Sequence, residues 1–307
     1  TGSLNMVDIG HRLTASHGSR TILVAIAFVA VGVSIKMALF PLHYWLPNAY
    51  TYAPSVVSAF IAATATKVSV YILLRLMYTI FKPGFAFTTL PLSFNLMTLA
   101  LIGIFVASAA AVFQTNVKRL LAYSSIAQIG YMLLGISFAS ETGLIGGVLH
   151  MFNHALIKGG LFMAVACLAL RIGPVNLRDL SGISRRMPWT CFAFAVGGLA
   201  LIGVPLTGGF ISKWYLLIAA FNAGYWPVAI LVLISSLLAL VYIWKVVETM
   251  YFGEPIESHD HLQEAPLSML IPTYVVIGLT LLFGIWTTIP AGVARQAALA
   301  LLAGSPL

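Results

Sequence analysis

Apolar stretches of 18 or more residues recur along the whole chain, and each, wound as a helix, can cross a hydrocarbon core roughly 30 Å thick. One such stretch can be a buried core helix; their repetition cannot. Only 8% of the residues are charged and 60% are apolar, whereas a soluble domain carries about a quarter charged residues. That is too few charges to coat a surface facing water. In lipid every backbone polar group must be satisfied internally, so the expected fold is all-α, a polytopic transmembrane helix bundle forming one membrane domain over residues 1–307.

Eight spans are predicted, at 21–40, 53–81, 94–114, 119–138, 144–170, 189–222, 227–251 and 268–289, with residues 1–20 outside the bilayer. Two of them contain helix breakers. Phe40-Pro41-Leu42-His43-Tyr44-Trp45-Leu46-Pro47 ends or breaks the first. Gly203-Val204-Pro205-Leu206-Thr207-Gly208-Gly209 lies inside a segment too long for one straight crossing. Irregular backbone at membrane depth is tolerated only where protein or a water-filled cavity surrounds it. Two interrupted helices are the pattern of transporters built from repeated halves with the site at the breaks; the alternative is a pair of proline kinks without a transport role.

Alternating the spans puts the loops at 115–119, 171–188 and 252–267 on one side. Lys118, Arg119, Arg171, Arg178, Arg185 and Arg186 fall there, against Arg12, Arg20, Lys82 and Arg295 opposite. The positive-inside rule makes the first side cytoplasmic. The acidic cluster Glu254, Glu257, Asp260 and Glu264 shares it but contributes little to orientation. Trp45, Trp189, Trp226 and Trp286 sit near span ends, where interfacial anchors belong.

A lysine near mid-membrane costs about 2.5–3.5 kcal/mol on insertion scales, so each one in a span needs a reason. Lys36 precedes the first break, and Lys67 lies near the middle of the second span. His150, His154 and Lys158 follow i, i+4, i+8 spacing on one helical face, and Lys213 follows the second break. Burial disfavours the charged form of an amine, and histidine titrates near neutral pH even unperturbed. Lysines and histidines joined by water and hydroxyls therefore form a candidate proton relay: Lys36, His43, Lys67, His150, His154, Lys158 and Lys213. Plainer readings stand beside it. Lys36 and Lys213 can cap carbonyls freed at the breaks, Lys67 can snorkel, and His43 can be a satisfied interfacial histidine. His150 and His154 can hydrogen-bond between helices or form a metal pair, although no third ligand has recognisable spacing. Lys245 and Glu248 are either a local pair or a proton exit.

The formal charge of +8 comes without a basic run or aromatic-basic interleaving, which sets nucleic acid aside. No GxSxG, helix-opening GxGxxG or Walker A motif occurs, so neither catalysis nor a bound cofactor or metal is expected of this chain. Cys167 and Cys191 lack CxxC or Cys/His spacing and read as small apolar residues.

The same residues resemble the antiporter-like proton-conducting subunits shared by respiratory complex I and the multi-subunit Mrp cation/proton antiporters. The matching stretches are Lys36 to Pro47, Ala65-Thr66-Lys67, Thr115 to Gly130, His150 to Lys158 and Gly203 to Lys213. The run Ala122 to Tyr131 and the stretch Arg185 to Trp214 look most like the Mrp D-type subunit. The resemblance implies an inverted-repeat fold, with 21–81 the end of the first repeat, 94–251 the second and 268–289 an extra span. It matches Lys36 to the lysine of the first broken helix, Lys67 to that of the next helix, His154 and Lys158 to the central axis, and Lys213 to the second broken helix. Gln128 stands where some relatives carry histidine, which questions a relay step there. The family pairs the first broken-helix lysine with a glutamate two helices earlier, before residue 1; the opening Thr1-Gly2-Ser3, without methionine, reads as a piece of a longer protein.

The expected function is thus translocation of H⁺, with Na⁺ as a possible second ion, by a multi-pass subunit bound to other membrane subunits in a bacterial cell membrane. An Mrp-type antiporter is the first reading and a proton-pumping NADH:quinone oxidoreductase assembly the alternative. A structural scaffold and an isolated small-solute transporter are the remaining classes.

Overall fold

The structure, a computed structural model, describes residues 2–14, 19–89, 92–259 and 261–303. Asp260 of the acidic cluster therefore lies outside the described residues. A short helix α1 (Met6–Thr14) precedes α2 (Arg20–Met37), α3 (Trp45–Tyr52), α4 (Ser55–Ala63) and α5 (Ala65–Leu74). Two π-helical segments, Arg75–Ile80 and Gly84–Thr89, lead towards α6 (Leu92–Val112). Then come α7 (Val117–Ser137), α8 (Glu141–Ile172), α9 (Pro188–Ile202), α10 (Gly208–Asn222), α11 (Trp226–Phe252), α12 (Leu267–Ile285) and α13 (Thr288–Leu302). Among the described residues, seven continuous helical segments are long and apolar enough to cross a bilayer. The α9/α10 pair supplies the eighth predicted crossing.

Sequence signals set the ends of several helices. Asn116 caps α7 by accepting from the Arg119 amide at 3.1 Å, and Ser140 caps α8 by accepting from the Gly143 amide at 3.2 Å. Proline opens α9 at Pro188, where the missing N–H would have no partner anyway. Helix α7 is buried along nearly all of its length. Helix α8, 32 residues long, is the pole around which α4, α7, α9, α10, α12 and α13 pack. These two antiparallel helices form the centre of the bundle, so polar groups on their facing sides are removed from both lipid and water.

Both expected breaks are present. Helix α2 stops at Met37, Ala38 turns at φ 61°, the Phe40–Pro41 bond is cis, and helix resumes at Trp45. The Trp45 indole N–H donates to the Ile35 carbonyl at 2.7 Å, satisfying one acceptor freed by the break. At the second break Gly203 turns at φ 88° and helix resumes at Gly208.

Three features depart from the expected spans. The segment 53–81 is not one regular helix: it is interrupted at Thr64 and passes into a π-helix at Arg75. The Thr64 hydroxyl donates to the Phe60 carbonyl at 2.8 Å and the Lys67 ammonium to the Ala62 carbonyl, so side chains compete for helix acceptors there. Arg75, not singled out from the sequence, stands half-buried at the π transition. The third departure is α13, for which no element was expected. It packs against α8 and is tied to its first turn by the Arg295–Glu141 ion pair at 2.9 Å.

The three loops assigned to one side do meet. The Val117 amide donates to the Val175 carbonyl at 3.0 Å and the Leu177 amide to the Thr115 carbonyl at 2.8 Å. Gly182 donates from its amide to the Thr249 carbonyl at 3.1 Å. Glu264 caps α9 from across the fold: its carboxylate accepts from the Trp189 amide at 2.8 Å and the Thr190 hydroxyl at 2.6 Å. Trp45, Trp189, Trp226 and Trp286 are all exposed, as interfacial anchors should be.

Candidate functional site

The i, i+4, i+8 spacing on α8 holds, and the face carrying it points into the bundle: His150, His154 and Lys158 are each at most 2% exposed. Opposite them α7 presents Ser124, Gln128 and Tyr131, spaced i, i+4, i+7 and buried. Because the helices are antiparallel, the two stripes pair in reverse order. The Lys158 ammonium donates to the Leu121 carbonyl at 2.7 Å and to the Ser124 hydroxyl. His150 lies 2.8 Å from the Gln128 side-chain oxygen through Nε2 and 2.8 Å from the Ser212 hydroxyl through Nδ1.

Gln128, which the sequence put in doubt, is therefore a direct partner of the row. An amide oxygen only accepts, so His150 Nε2 donates to Gln128, while the Ser212 hydroxyl lies between His150 Nδ1 at 2.8 Å and the Gly209 carbonyl at 3.0 Å. Both ring nitrogens of His150 are thus engaged by side chains of α7 and α10.

His154 is stacked on His150, with ring centroids 6.1 Å apart and planes 8° from parallel. Neither of its nitrogens has a protein hydrogen-bond partner among the described residues, although both are buried. A buried polar group left unpaired costs roughly 1–3 kcal/mol, so this imidazole is the least satisfied polar group of the row. Lys67, 6% exposed, interacts electrostatically with His150, His154 and Lys158.

Lys213, on α10, is 5% exposed. Its ammonium donates to the Ile202 carbonyl at 2.8 Å and the Ser236 hydroxyl at 3.0 Å, and sits 4.8 Å from the centroid of the Tyr131 ring. Ile202 is the last residue of α9, so the capping alternative is literally present at this break. The same ammonium also lies within electrostatic range of His150. The Tyr131 hydroxyl and Ser235 share a 2.6 Å hydrogen bond, extending the polar line into α11. Thus Lys67, His154, Lys158, His150 and Lys213 are brought together.

Two expected members are not. Lys36 is exposed on the surface of the described chain, a correction to its expected burial: among the described residues, nothing in α3–α13 packs over that face of α2. His43 is buried, but among aromatic rings, stacked on Phe40 and Tyr44 with centroids 5.4 and 5.3 Å away. The local pair suggested for Lys245 and Glu248 does not form. Lys245 donates to the Val112 carbonyl at 3.0 Å, at the end of α6, while Glu248 is on the outer side of α11.

The residues missed individually were Ser124, Tyr131, Ser212, Ser235 and Ser236. The signal for the α7 members was available: Ser124, Gln128 and Tyr131 form a polar stripe in an otherwise apolar helix. For Ser212, Ser235 and Ser236 only the packing of α10 and α11 decides which hydroxyl faces the row.

A polytopic helix bundle with buried lysines, histidines and hydroxyls at its centre and two discontinuous helices defines a membrane protein of the antiporter-like fold. The family described as NADH:quinone oxidoreductase/Mrp antiporter, transmembrane part, matches residues 1–239, and the chain belongs to it. It is 40% identical, over 92% of its length, to NADH-quinone oxidoreductase subunit N of Desulforudis audaxviator, covering 58% of that protein. It is 28% identical to the D-type Na⁺/H⁺ antiporter subunit of Alkalihalophilus pseudofirmus, over 92% of this chain and 57% of the relative. Its fold matches a chain of the Mrp complex from Dietzia sp. DQ12-45-1b with a TM-score of 0.89 at 24% identity, over 98% of this chain and 63% of that one. The chain thus spans somewhat under two thirds of the length of these relatives.

Proposed function

We propose that this chain translocates protons as a membrane subunit of a hetero-oligomeric complex in a bacterial cell membrane, passing them along Lys67, Lys158, His154, His150 and Lys213. The observation that supports it most is the line of neighbouring buried bases through the centre of the bundle, from Lys67 on α5 to Lys213 on α10. Each transfer moves one proton and one positive charge from an ammonium or imidazolium N–H to a neutral neighbouring base. Ser124, Ser212 and Ser236 hydroxyls donate or accept between them. Gln128 cannot itself be protonated at cellular pH, so its part is to hold His150 in the tautomer that offers Nδ1 towards Ser212. Lys36 enters the path from the exposed face of α2, where its acidic partner comes from a segment or subunit packed over it. The loop side carrying Arg185 and Arg186 faces the cytoplasm.

The assembly is an Mrp-type cation/proton antiporter exchanging H⁺ for Na⁺, a reading supported by the likeness to the D-type Na⁺/H⁺ antiporter subunit over 92% of the chain. The 40% identity to a protein named NADH-quinone oxidoreductase subunit N favours a second reading, a redox-driven pump. Purification from the native membrane separates the two: flavin and iron–sulfur partners select the second, small membrane subunits alone the first.

Relay and capping are separated by Lys213→Gln in the assembled complex. A glutamine amide still donates to the Ile202 carbonyl but carries no exchangeable charge. Proton flux into vesicles should fall about 100-fold or more, the usual reach of a positioned acid–base group, with assembly intact. Normal flux in that variant would leave Lys213 as a cap and remove it from the path.

A further inference from the structure

Beside the second break, α8 and α10 share one antiparallel seam. Gly146, His150 and Asn153 follow i, i+4, i+7 spacing on α8, and Leu216, Ser212 and Gly208 meet them in reverse order on α10. At one end of the seam a Cβ on Gly146 would stand 2.9 Å from the Leu216 side chain and 3.2 Å from its amide nitrogen, so the two backbones are in close contact there. At the other end the Asn153 side-chain amide donates from Nδ2 to the Gly208 carbonyl at 2.7 Å. The contact between His150 and Ser212 lies between the two, about one helical turn from each.

Helix α10 begins afresh at Gly208, and residues 203–207 before it are not helical. Continuity with α9 therefore fixes neither its height nor its rotation against α8. Asn153 is 2% exposed, and its Oδ1 is buried without a hydrogen-bond partner among the described residues. A half-satisfied amide is a poor way to stabilise a helix pair, because the unpaired oxygen loses its hydration for nothing in return. What the amide provides is its one bond, to Gly208. Gly208 in turn leaves room for it: a Cβ there would stand 2.7 Å from Asn153 Oδ1.

We propose that Asn153 is a positioning residue of the proton path, tying the first turn of α10 to α8 in the register that brings Ser212 to His150. This role presupposes that the row conducts protons; Asn153 itself carries none. A slip of α10 by a fraction of a turn would open the 2.8 Å contact between the Ser212 hydroxyl and His150 Nδ1, and a side chain as short as serine cannot follow.

The test is a double-mutant cycle on proton flux into vesicles containing the assembled complex. Asn153→Leu should lower flux at least about 10-fold, within the ~100-fold that a 1 Å misplacement of reacting groups costs, with assembly intact. Asn153→Gln, which keeps the amide donor, should retain more flux than Asn153→Leu. Added to Ser212→Ala, Asn153→Leu should lower flux no further, because the contact it positions is already gone, whereas independent effects would multiply. Hydrogen exchange supplies a readout separate from flux: the backbone of residues 208–216 should exchange faster in Asn153→Leu, with α11 unchanged. If Asn153→Leu fails to assemble, Gly208→Ala, which sets a methyl against the Asn153 amide, is read in the same cycle with the same expectation. Ser212→Ala alone tells two failures apart. Normal flux in it removes Ser212 from the path, and the role of Asn153 falls with that step. Lowered flux in it, together with multiplying losses, equal losses in the leucine and glutamine variants, or unchanged exchange at residues 208–216, keeps the path and overturns Asn153 as its positioning residue.

Discussion

At the α9/α10 break the chain turns on Gly203 and buries the lysine that follows; at the α2/α3 break it turns on Ala38 and leaves Lys36, just before it, exposed. The two breaks look alike in sequence, each an apolar helix, a proline and a lysine within a few positions. They differ in what surrounds them. Around Lys213 stand α7, α9 and α11, which supply the Tyr131 ring, the Ile202 carbonyl and the Ser236 hydroxyl. Around Lys36 the described chain supplies no such shell. A broken helix therefore frees carbonyls and places an amine near them, but enclosure by neighbouring helices is what makes the amine a buried base.

The sharpest separation comes from replacing each lysine in the assembled complex. Lys213→Ala should lower proton flux about 100-fold or more and also lower thermal stability, since it orphans the Ile202 carbonyl. Lys36→Ala should lower flux and cost less melting temperature than Lys213→Ala, since within this chain it orphans no hydrogen-bonded group. Equal stability losses in the two variants would erase the distinction.

Packing at the second break gives the next largest effect. A Cβ on Gly209 would stand 1.9 Å from the Ala200 carbonyl oxygen, a backbone atom that cannot swing aside. Gly209→Ala should cost about 3 kcal/mol or more, read as a fall in detergent melting temperature or loss of assembly.

Glu264 tests how far the enclosure depends on loops. Glu264→Ala removes the carboxylate that satisfies the first turn of α9 and should cost about 2 kcal/mol, the scale of a hydrogen bond to a charged group. Glu264→Gln, which keeps an acceptor, should recover about half. Equal losses in the two variants would mean that the charge alone matters.

The smallest effect contrasts the turning residues. Gly203→Ala places a side chain in the left-handed region and should cost ~1–2 kcal/mol. Ala38→Gly relieves a similar strain, but gives up a buried methyl worth ~0.8 kcal/mol and frees the unfolded chain by ~0.5–1 kcal/mol. The net change should lie within ~0.5 kcal/mol in thermal unfolding. A gain of several kcal/mol at Ala38 would show the first break to be far more strained than its dihedral indicates.

Much of the architecture was legible from residue pattern. The spans followed from hydropathy, because lipid leaves the backbone few alternatives, and both breaks followed from Pro41 and from Gly203 with Pro205. The interruption at Thr64 was not legible: it depends on the Thr64 hydroxyl and the Lys67 amine taking helix carbonyls, and neither residue is a helix breaker by itself. Helix α13 escaped because fifteen residues are too few to register as a span, and its place is set by contacts with α8.

At the site, sequence by itself determined which bases lie within spans and that His150, His154 and Lys158 share one helical face, since helical periodicity is a local property. Tertiary structure decided the rest. It placed Gln128 and Ser212 on the two nitrogens of His150, enclosed Lys213 between α7, α9 and α11, and left Lys36 on the outside. Burial and hydrogen bonding depend on which helices come together from distant parts of the chain, and no local pattern around an amine encodes its neighbours.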